Sequence, residues 1–319
     1  MKLVLKEESK AKIKLLPGSA FAVKTADHLP KLHQCSILNG KRGSGKSVGA
    51  TNLLRMYKES GTMDRILVVS PTFESNYRLM EDLDINPNDV FDPDDAEVIE
   101  KIIKIVESER DEFTKYLHLK EHYAQFMKDI KSGIKSSDDA QDDYLLSFFD
   151  VRNNIFQMPK PRYKCYDATP PRPPVVSLFL DDCMSSKLFT NRKFPSMVMR
   201  HRHLGAFKDG GAVGLSIFIA IQSYKSTSGL PKAIRNQATS ICLFRTKDLS
   251  ELKQIADSFS GEINPTLFLE LYDFATKDSP HDFLFVDLHK KAEQPSMFRK
   301  NFDQYIIMES EHEQLKDSA

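Results

Sequence analysis

The sequence predicts an α/β fold built on a mostly parallel sheet, and three observations predict it. Apolar runs with little polar interruption stand at 66–69 (ILVV), 175–180 (VVSLFL), 215–221 (LSIFIAI) and 241–244 (ICLF), as expected of strands covered on both faces. Between 35 and 70 a strand, a glycine-rich turn, an amphipathic helix and a second strand follow one another, the order of a right-handed crossover unit. The turn itself, GKRGSGKS at 40–47, matches G-x-x-x-x-G-K-[ST] at every position.

That turn carries the clearest chemistry. Gly40, Gly43 and Gly45 are read as supplying positive φ, so that successive backbone N–H groups face a polyphosphate. Gly40, Lys41, Arg42, Gly43, Ser44, Gly45, Lys46 and Ser47 would form the cradle, with Lys46 on the β and γ oxygens and the Ser47 hydroxyl on Mg²⁺. The helix at 47–59 would aim its positive end at the same anion. Val48, Leu53, Leu54 and Tyr57 read as its buried face, and Gly61 as its stop.

Composition bounds the rest. A chain of 319 residues can hold one large α/β domain or two small ones. Its 45 basic and 45 acidic side chains cancel, so any attraction to nucleic acid must come from a local patch. Cys35, Cys165, Cys183 and Cys242 have no CxxC spacing and read as buried thiols, neither a disulfide framework nor a zinc site. No stretch is long and apolar enough to span a membrane, and MKLVLKEESK lacks a signal-peptide core, so a cytosolic protein is expected.

The remaining segments follow in order. Residues 1–34 suggest a hairpin covering the sheet edge, and 35–290 the main domain. A helical insertion is expected at about 92–150, opened by Asp92 as cap and Pro93, with Ile99, Ile102, Ile103 and Val106 spaced for packing and a polar tip at 132–143. Six prolines within 158–174 suggest a stiff connector. Helices are expected at 248–260, capped by Asp248, and 265–275, capped by Asn264 with Pro265 following; a last strand at 283–286 leads into a polar tail over 291–319.

Three strands end in polar residues that belong with the turn. Asp181 and Asp182 close the run at 175–180; an acid at such a strand end holds Mg²⁺, and a second orients or deprotonates water, although either could instead cap the next helix. Gln222 ends the run at 215–221, where an amide could hold the γ-phosphate or the attacking water, or simply cap the strand. Arg202, Arg235 and Arg245 are candidates for neutralising transition-state charge, from a neighbouring subunit if the chain assembles. The acid-free stretch 187–208 is a candidate DNA face. No guanine signature N/T-K-x-D and no L-S-G-G-Q occurs. What remains is the class of ATPases with an extra strand between the loop strand and the acid strand.

The ordered series GKRGSGKS (40–47), VVSPT (68–72), LFLDD (178–182), RH (202–203), IAIQ (219–222), LPKAIRNQ (230–237) and FLFVDL (283–288) resembles the genome-packaging ATPases of large DNA viruses and membrane-containing phages, a branch of the FtsK-HerA superfamily. The likeness covers about 35–75 and 175–290. It implies a RecA-like P-loop NTPase core that assembles as a ring, a hexamer, around double-stranded DNA. ATP would lie between subunits, contacted by Lys46, Ser47, Asp181, Asp182 and Gln222, with an arginine such as Arg202 or Arg235 from the neighbour. Capsid vertex or portal proteins would be partners, in the host cytoplasm or the virion. The wider superfamily has Glu where this chain has Asp182, one methylene shorter. Two other readings share the residues: a cellular HerA-like or conjugative DNA pump, and a P-loop nucleotide switch with little turnover.

Overall fold

The computed structural model describes residues 23–71, 81–133, 144–150, 155–225 and 229–308. In chain order the strands are β1 (Cys35–Asn39), β2 (Arg65–Val69), β3 (Val90–Phe91), the pair β4 (Phe149–Asp150) and β5 (Ile155–Phe156), then β6 (Val176–Asp181), β7 (Leu215–Ile221), β8 (Ser240–Phe244), β9 (Phe283–Asp287), β10 (Phe298–Lys300) and β11 (Gln304–Tyr305). All but β4 and β5 join one nine-stranded sheet, ordered β11-β10-β9-β8-β1-β7-β6-β2-β3. From β8 to β3 every neighbouring pair is parallel; β9, β10 and β11 extend the sheet antiparallel. This is the mostly parallel sheet that the apolar runs predict. Strand β7 lies between β1 and β6, with Asn39 opposite Ile221 and Asp181 opposite Ala220. The phosphate-loop strand and the acid strand are therefore separated by the strand that ends in Gln222.

Helices cover both faces. They are α1 (Lys46–Glu59), α2 (Val98–Ser132), α3 (Lys187–Thr190), α4 (Lys193–Met199), α5 (Lys232–Arg235), α6 (Leu249–Ser258) and α7 (Pro265–Thr276). Alternate residues of a strand point to opposite faces, so each apolar run feeds two layers. Leu38, Val68, Phe179, Phe218 and Phe285 pack with Leu53, Leu54 and Tyr57 of α1. Ile37, Val69, Leu178, Leu180, Ile217 and Ile219 pack on the other side with residues of α2, α4, α6 and α7. Phe179 is fully buried, and truncating a side chain so placed costs about 3–5 kcal/mol. Asp248 and Asn264 cap α6 and α7 as their sequences predict, each accepting a backbone N–H within its first turn.

Helix α2 runs 35 residues without a break, about 52 Å at the α-helical rise. Its start corrects the expected one. Glu97 occupies the cap position, while the Asp92 and Asp95 carboxylates accept the N–H groups of Asp94 and Glu97 in local turns that precede the helix. Val98, Ile99, Ile102 and Val106 lie in the main core. Further along, Phe113 and Tyr116 pack with Cys165 and Tyr166 of the proline-rich stretch. Between these contacts Arg65 at the start of β2 braces the helix, donating to Asp89 at 2.6 and 3.0 Å and to the fully buried Glu109 at 2.6 Å. Gly133 ends the helix at φ 67. The rest of the expected polar tip, 134–143, lies outside the described residues.

Two terminal expectations change. The segment after 290 is more than a polar tail, since β10 and β11 lie within it. Charge hid them. Arg299 of β10 is 1% exposed; its guanidinium stacks on Phe285 and Tyr305 and donates to the carbonyls of His28 and Phe302. The expected N-terminal hairpin falls mostly on residues 1–22, outside the described ones, and 23–34 form turns with no strand. Lys291, Gln294 and Arg299 tie this segment down through the carbonyls of Thr25, Ala26, Asp27 and His28.

Candidate active site

The predicted residues meet where the parallel strands end. The chain leaves β1 at Asn39 and turns tightly, with Gly40 donating to the carbonyl of Ile221 at 3.1 Å. Gly43 and Gly45 have φ of 77 and 99, as the turn requires. Gly40 is a correction. It has no positive φ; what excludes a side chain there is space, since a Cβ would lie 2.6 Å from Ser44 Oγ and 2.7 Å from Phe244 Cβ. Lys41 and Arg42 expose their side chains. Val48 also departs from expectation, because it is exposed and faces the cleft while Leu53, Leu54 and Tyr57 are buried.

Lys46 is buried and donates to the carbonyl of Lys41 at 3.0 Å. Burial lowers its pKa, an effect that Asp182 and Asp181 oppose. Across β7, Ser47 Oγ lies 2.9 and 3.0 Å from the two carboxylate oxygens of Asp181. Asp181 is buried, and burial raises its pKa; Ser47 and Lys46 pull it down while Asp182 pushes it up. Asp182 is exposed at φ 56, a backbone conformation that a non-glycine residue holds only at a cost. Its Oδ1 accepts from Gln222 Nε2 at 2.7 Å. Strand register alone brings these groups together, for Asn39, Asp181 and Ile221 end adjacent strands.

A cleft of 1370 Å³ opens over them, large enough for a nucleotide. Its far wall comes from residues that the sequence reading missed: His281, Asp282, Asn301, Phe302 and Asp303. His281 Nδ1 lies 3.3 Å from the carbonyl of Ser44, against the phosphate loop. Nothing local marks them. They arrive because β9 runs antiparallel and β10 turns back beside it, so the residues before β9 and those after β10 sit at the edge where the parallel strands finish. Ser47 and Asp181 present hard oxygens at one point on a buried carboxylate, a donor set that suits Mg²⁺ completed by phosphate and water. Among the described residues no cluster of three or more His, Cys, Asp or Glu side chains could hold a metal, and all four cysteines are free and buried.

The arginines separate. Arg202 shares its surroundings with His33 and Cys35, at the beginning of β1 and thus at the sheet edge opposite the phosphate loop. The stretch 187–208 looked close to Asp182 in sequence, but β6 and β7 are parallel, so the chain between them must travel back along the sheet. Arg235 is committed locally, donating to the carbonyls of Tyr224 at 3.1 Å and Leu230 at 2.5 Å and lying over the Tyr224 ring. Arg245 leaves the end of β8, on the same edge as the loop, and is exposed.

No protein-family model and no curated protein sequence matches the chain. Among solved structures it is similar to the genome packaging NTPase B204 from Sulfolobus turreted icosahedral virus 2, at 14% identity and TM-score 0.43 over 86% of this chain and 98% of that one. It is similar to the pCW3 conjugation coupling protein TcpA, at 17% identity and TM-score 0.39 over 92% and 72%. The cytoplasmic domain of the Thermomonospora curvata type VII secretion ATPase EccC matches at 17% identity and TM-score 0.35, over 87% of this chain and 26% of that one. All three likenesses are distant, and what this site can do follows from its own geometry.

Proposed function

We propose that the protein is an ATPase that drives double-stranded DNA, acting as a viral genome-packaging motor of the kind its motif series resembles. The observation that carries the reading is the contact between Ser47 of the phosphate loop and Asp181 two strands away, with Asp182 and Gln222 bonded beside it. Lys46 swings from the Lys41 carbonyl onto the β and γ oxygens and neutralises charge that grows at the leaving phosphate. Ser47 and Asp181 would hold Mg²⁺, which would supply further charge neutralisation. Asp182 accepts a hydrogen bond from the attacking water, and Gln222 fixes the rotamer of that carboxylate.

The packaging role adds partners. A ring, a hexamer, would enclose the duplex, and the cations of 187–208 other than Lys193, which pairs with Glu100, would face it or the next subunit. From the far edge of the sheet Arg202 can serve only a neighbour's nucleotide. Capsid vertex or portal proteins would dock the ring, in the host cytoplasm or the virion. Among the described residues no helix is long and apolar enough to cross a membrane. Turnover of ATP should rise several-fold with double-stranded DNA; equal rates with and without it would favour a nucleotide switch instead. Mixing Arg202→Ala with Lys46→Ala should restore some turnover if Arg202 acts across an interface, and mixtures that stay inactive would remove it from the mechanism.

A further inference from the structure

Glu251 has a local job that it does not do. It stands three residues after Asp248, the cap of α6, in the D-x-x-E order of a capping box. In such a box the cap side chain accepts the N–H of the third helical residue, and that residue's carboxylate returns to the cap N–H. The first half is present: Asp248 Oδ1 accepts from Glu251 N at 3.0 Å. The second half is missing, because Asp248 N donates to Thr246 Oγ1 at 3.1 Å. The Glu251 carboxylate has turned away into the protein, where it is 8% exposed.

Its destination is the turn that leaves β7. Glu251 Oε1 accepts from Ser223 Oγ at 2.8 Å, from the backbone N–H of Tyr224 and from that of Lys225 at 3.3 Å. Lys225 Nζ in turn donates to the carbonyl of Gln254, one turn further along α6. Arg235 secures the other side of the turn through the carbonyls of Tyr224 and Leu230. These bonds begin at the residue directly after Gln222, whose amide holds Asp182. Gln222 is itself exposed; its peptide is held on one side by Gly40, which donates to the Ile221 carbonyl, and on the other by the bonds to residues 223–225.

We infer that Glu251 is a positioning residue for hydrolysis: by gathering the donors of residues 223–225 on one oxygen it sets the backbone of Gln222, and through Gln222 the Asp182 carboxylate. This rests on the ATPase reading above and adds a route from the cleft to α6. Movement of Gln222 against a γ-phosphate would pull on the turn and so on the first turn of that helix. A carboxylate diverted from its own cap is the trace of that linkage.

The test uses the full-length protein. Glu251→Ala should lower kcat about tenfold while nucleotide affinity stays within about twofold, and Glu251→Gln, which keeps an acceptor oxygen, should recover most of the loss. Combined with Gln222→Ala, the Glu251→Ala change should cost nothing further, because both act through one group. Amide exchange at Tyr224 and Lys225 should quicken at least tenfold in Glu251→Ala, with the core strands still protected. A purely structural residue would lower affinity and turnover together, or add its loss to that of Gln222→Ala; either result overturns the inference, as does unchanged exchange. A wild-type protein that hydrolyses no ATP would sink the reading of the site and the positioning role with it, and the exchange data would still report whether the clamp exists.

Discussion

The two edges of the sheet are built from the same strands and treat polar groups in opposite ways. At the edge where β1, β7 and β8 begin, several buried polar side chains pair with one another. Gln34, fully buried, donates to Tyr57 Oη at 3.1 Å, and Tyr57 Oη donates to the carbonyl of Pro30 at 2.9 Å. Ser240 donates to Ser36 at 2.9 Å, and His33 lies 3.2 Å from Ser216. At the edge where the strands end, Lys46, Asp181 and Asp182 face a cleft, one carboxylate buried and the other on strained backbone. Paired groups of this kind contribute stability. Open valences cost stability and are kept where a ligand can complete them.

Substitutions at the two edges should therefore separate activity from stability. Lys46→Ala should have the largest effect, abolishing turnover by at least about a thousandfold, near 4 kcal/mol of activation energy, with an unchanged unfolding temperature; normal turnover would refute the phosphate-loop assignment. Asp181→Asn should lower Mg²⁺-dependent hydrolysis by about a hundredfold and nucleotide binding much less. Equal losses would count against its metal role.

At the other edge, Arg202 apart, changes to these buried paired groups should register in stability. Burial, aided by His201 and Arg202, lowers the pKa of His33 from 6.5 to about 4. Protonation then favours the unfolded chain: stability is complete above pH 6.5 and declines as pH falls toward 4, by on the order of 2–3 kcal/mol. Acid titration of the unfolding free energy should show this slope in wild type and a shallower one in His33→Gln. Identical slopes would mean that another group titrates there. Tyr57→Phe should cost about 1–2 kcal/mol of stability by unpairing Gln34 and leave kcat as it was. A matching fall in kcat would erase the distinction between the edges.

Legibility followed range. The central strands, the caps at Asp248 and Asn264, and the phosphate loop could be read because each depends on neighbours within a few residues. Asp181, Asp182 and Gln222 were readable as strand-end polar groups, one step less local. The start of α2 differs from the expected one because Asp92-Pro93 has the form of a cap, but the Asp92 and Asp95 carboxylates instead close local turns and the helix begins at Val98. β10 was read as tail because Arg299 and Lys300 look solvated until Phe285 and Tyr305 enclose the first of them.

By itself the sequence determined the parallel α/β character of the protein, the glycine-rich turn whose pattern fits a polyphosphate and the polar residue types at the strand ends, since backbone geometry and apolar periodicity act locally. Tertiary structure alone decided which of those residues meet. Parallel register placed Asp181 against Ser47 and sent Arg202 to the opposite edge, and the antiparallel return of β9 brought His281 to the phosphate loop. Such contacts join positions more than a hundred residues apart, and strand order, which no short stretch encodes, sets them.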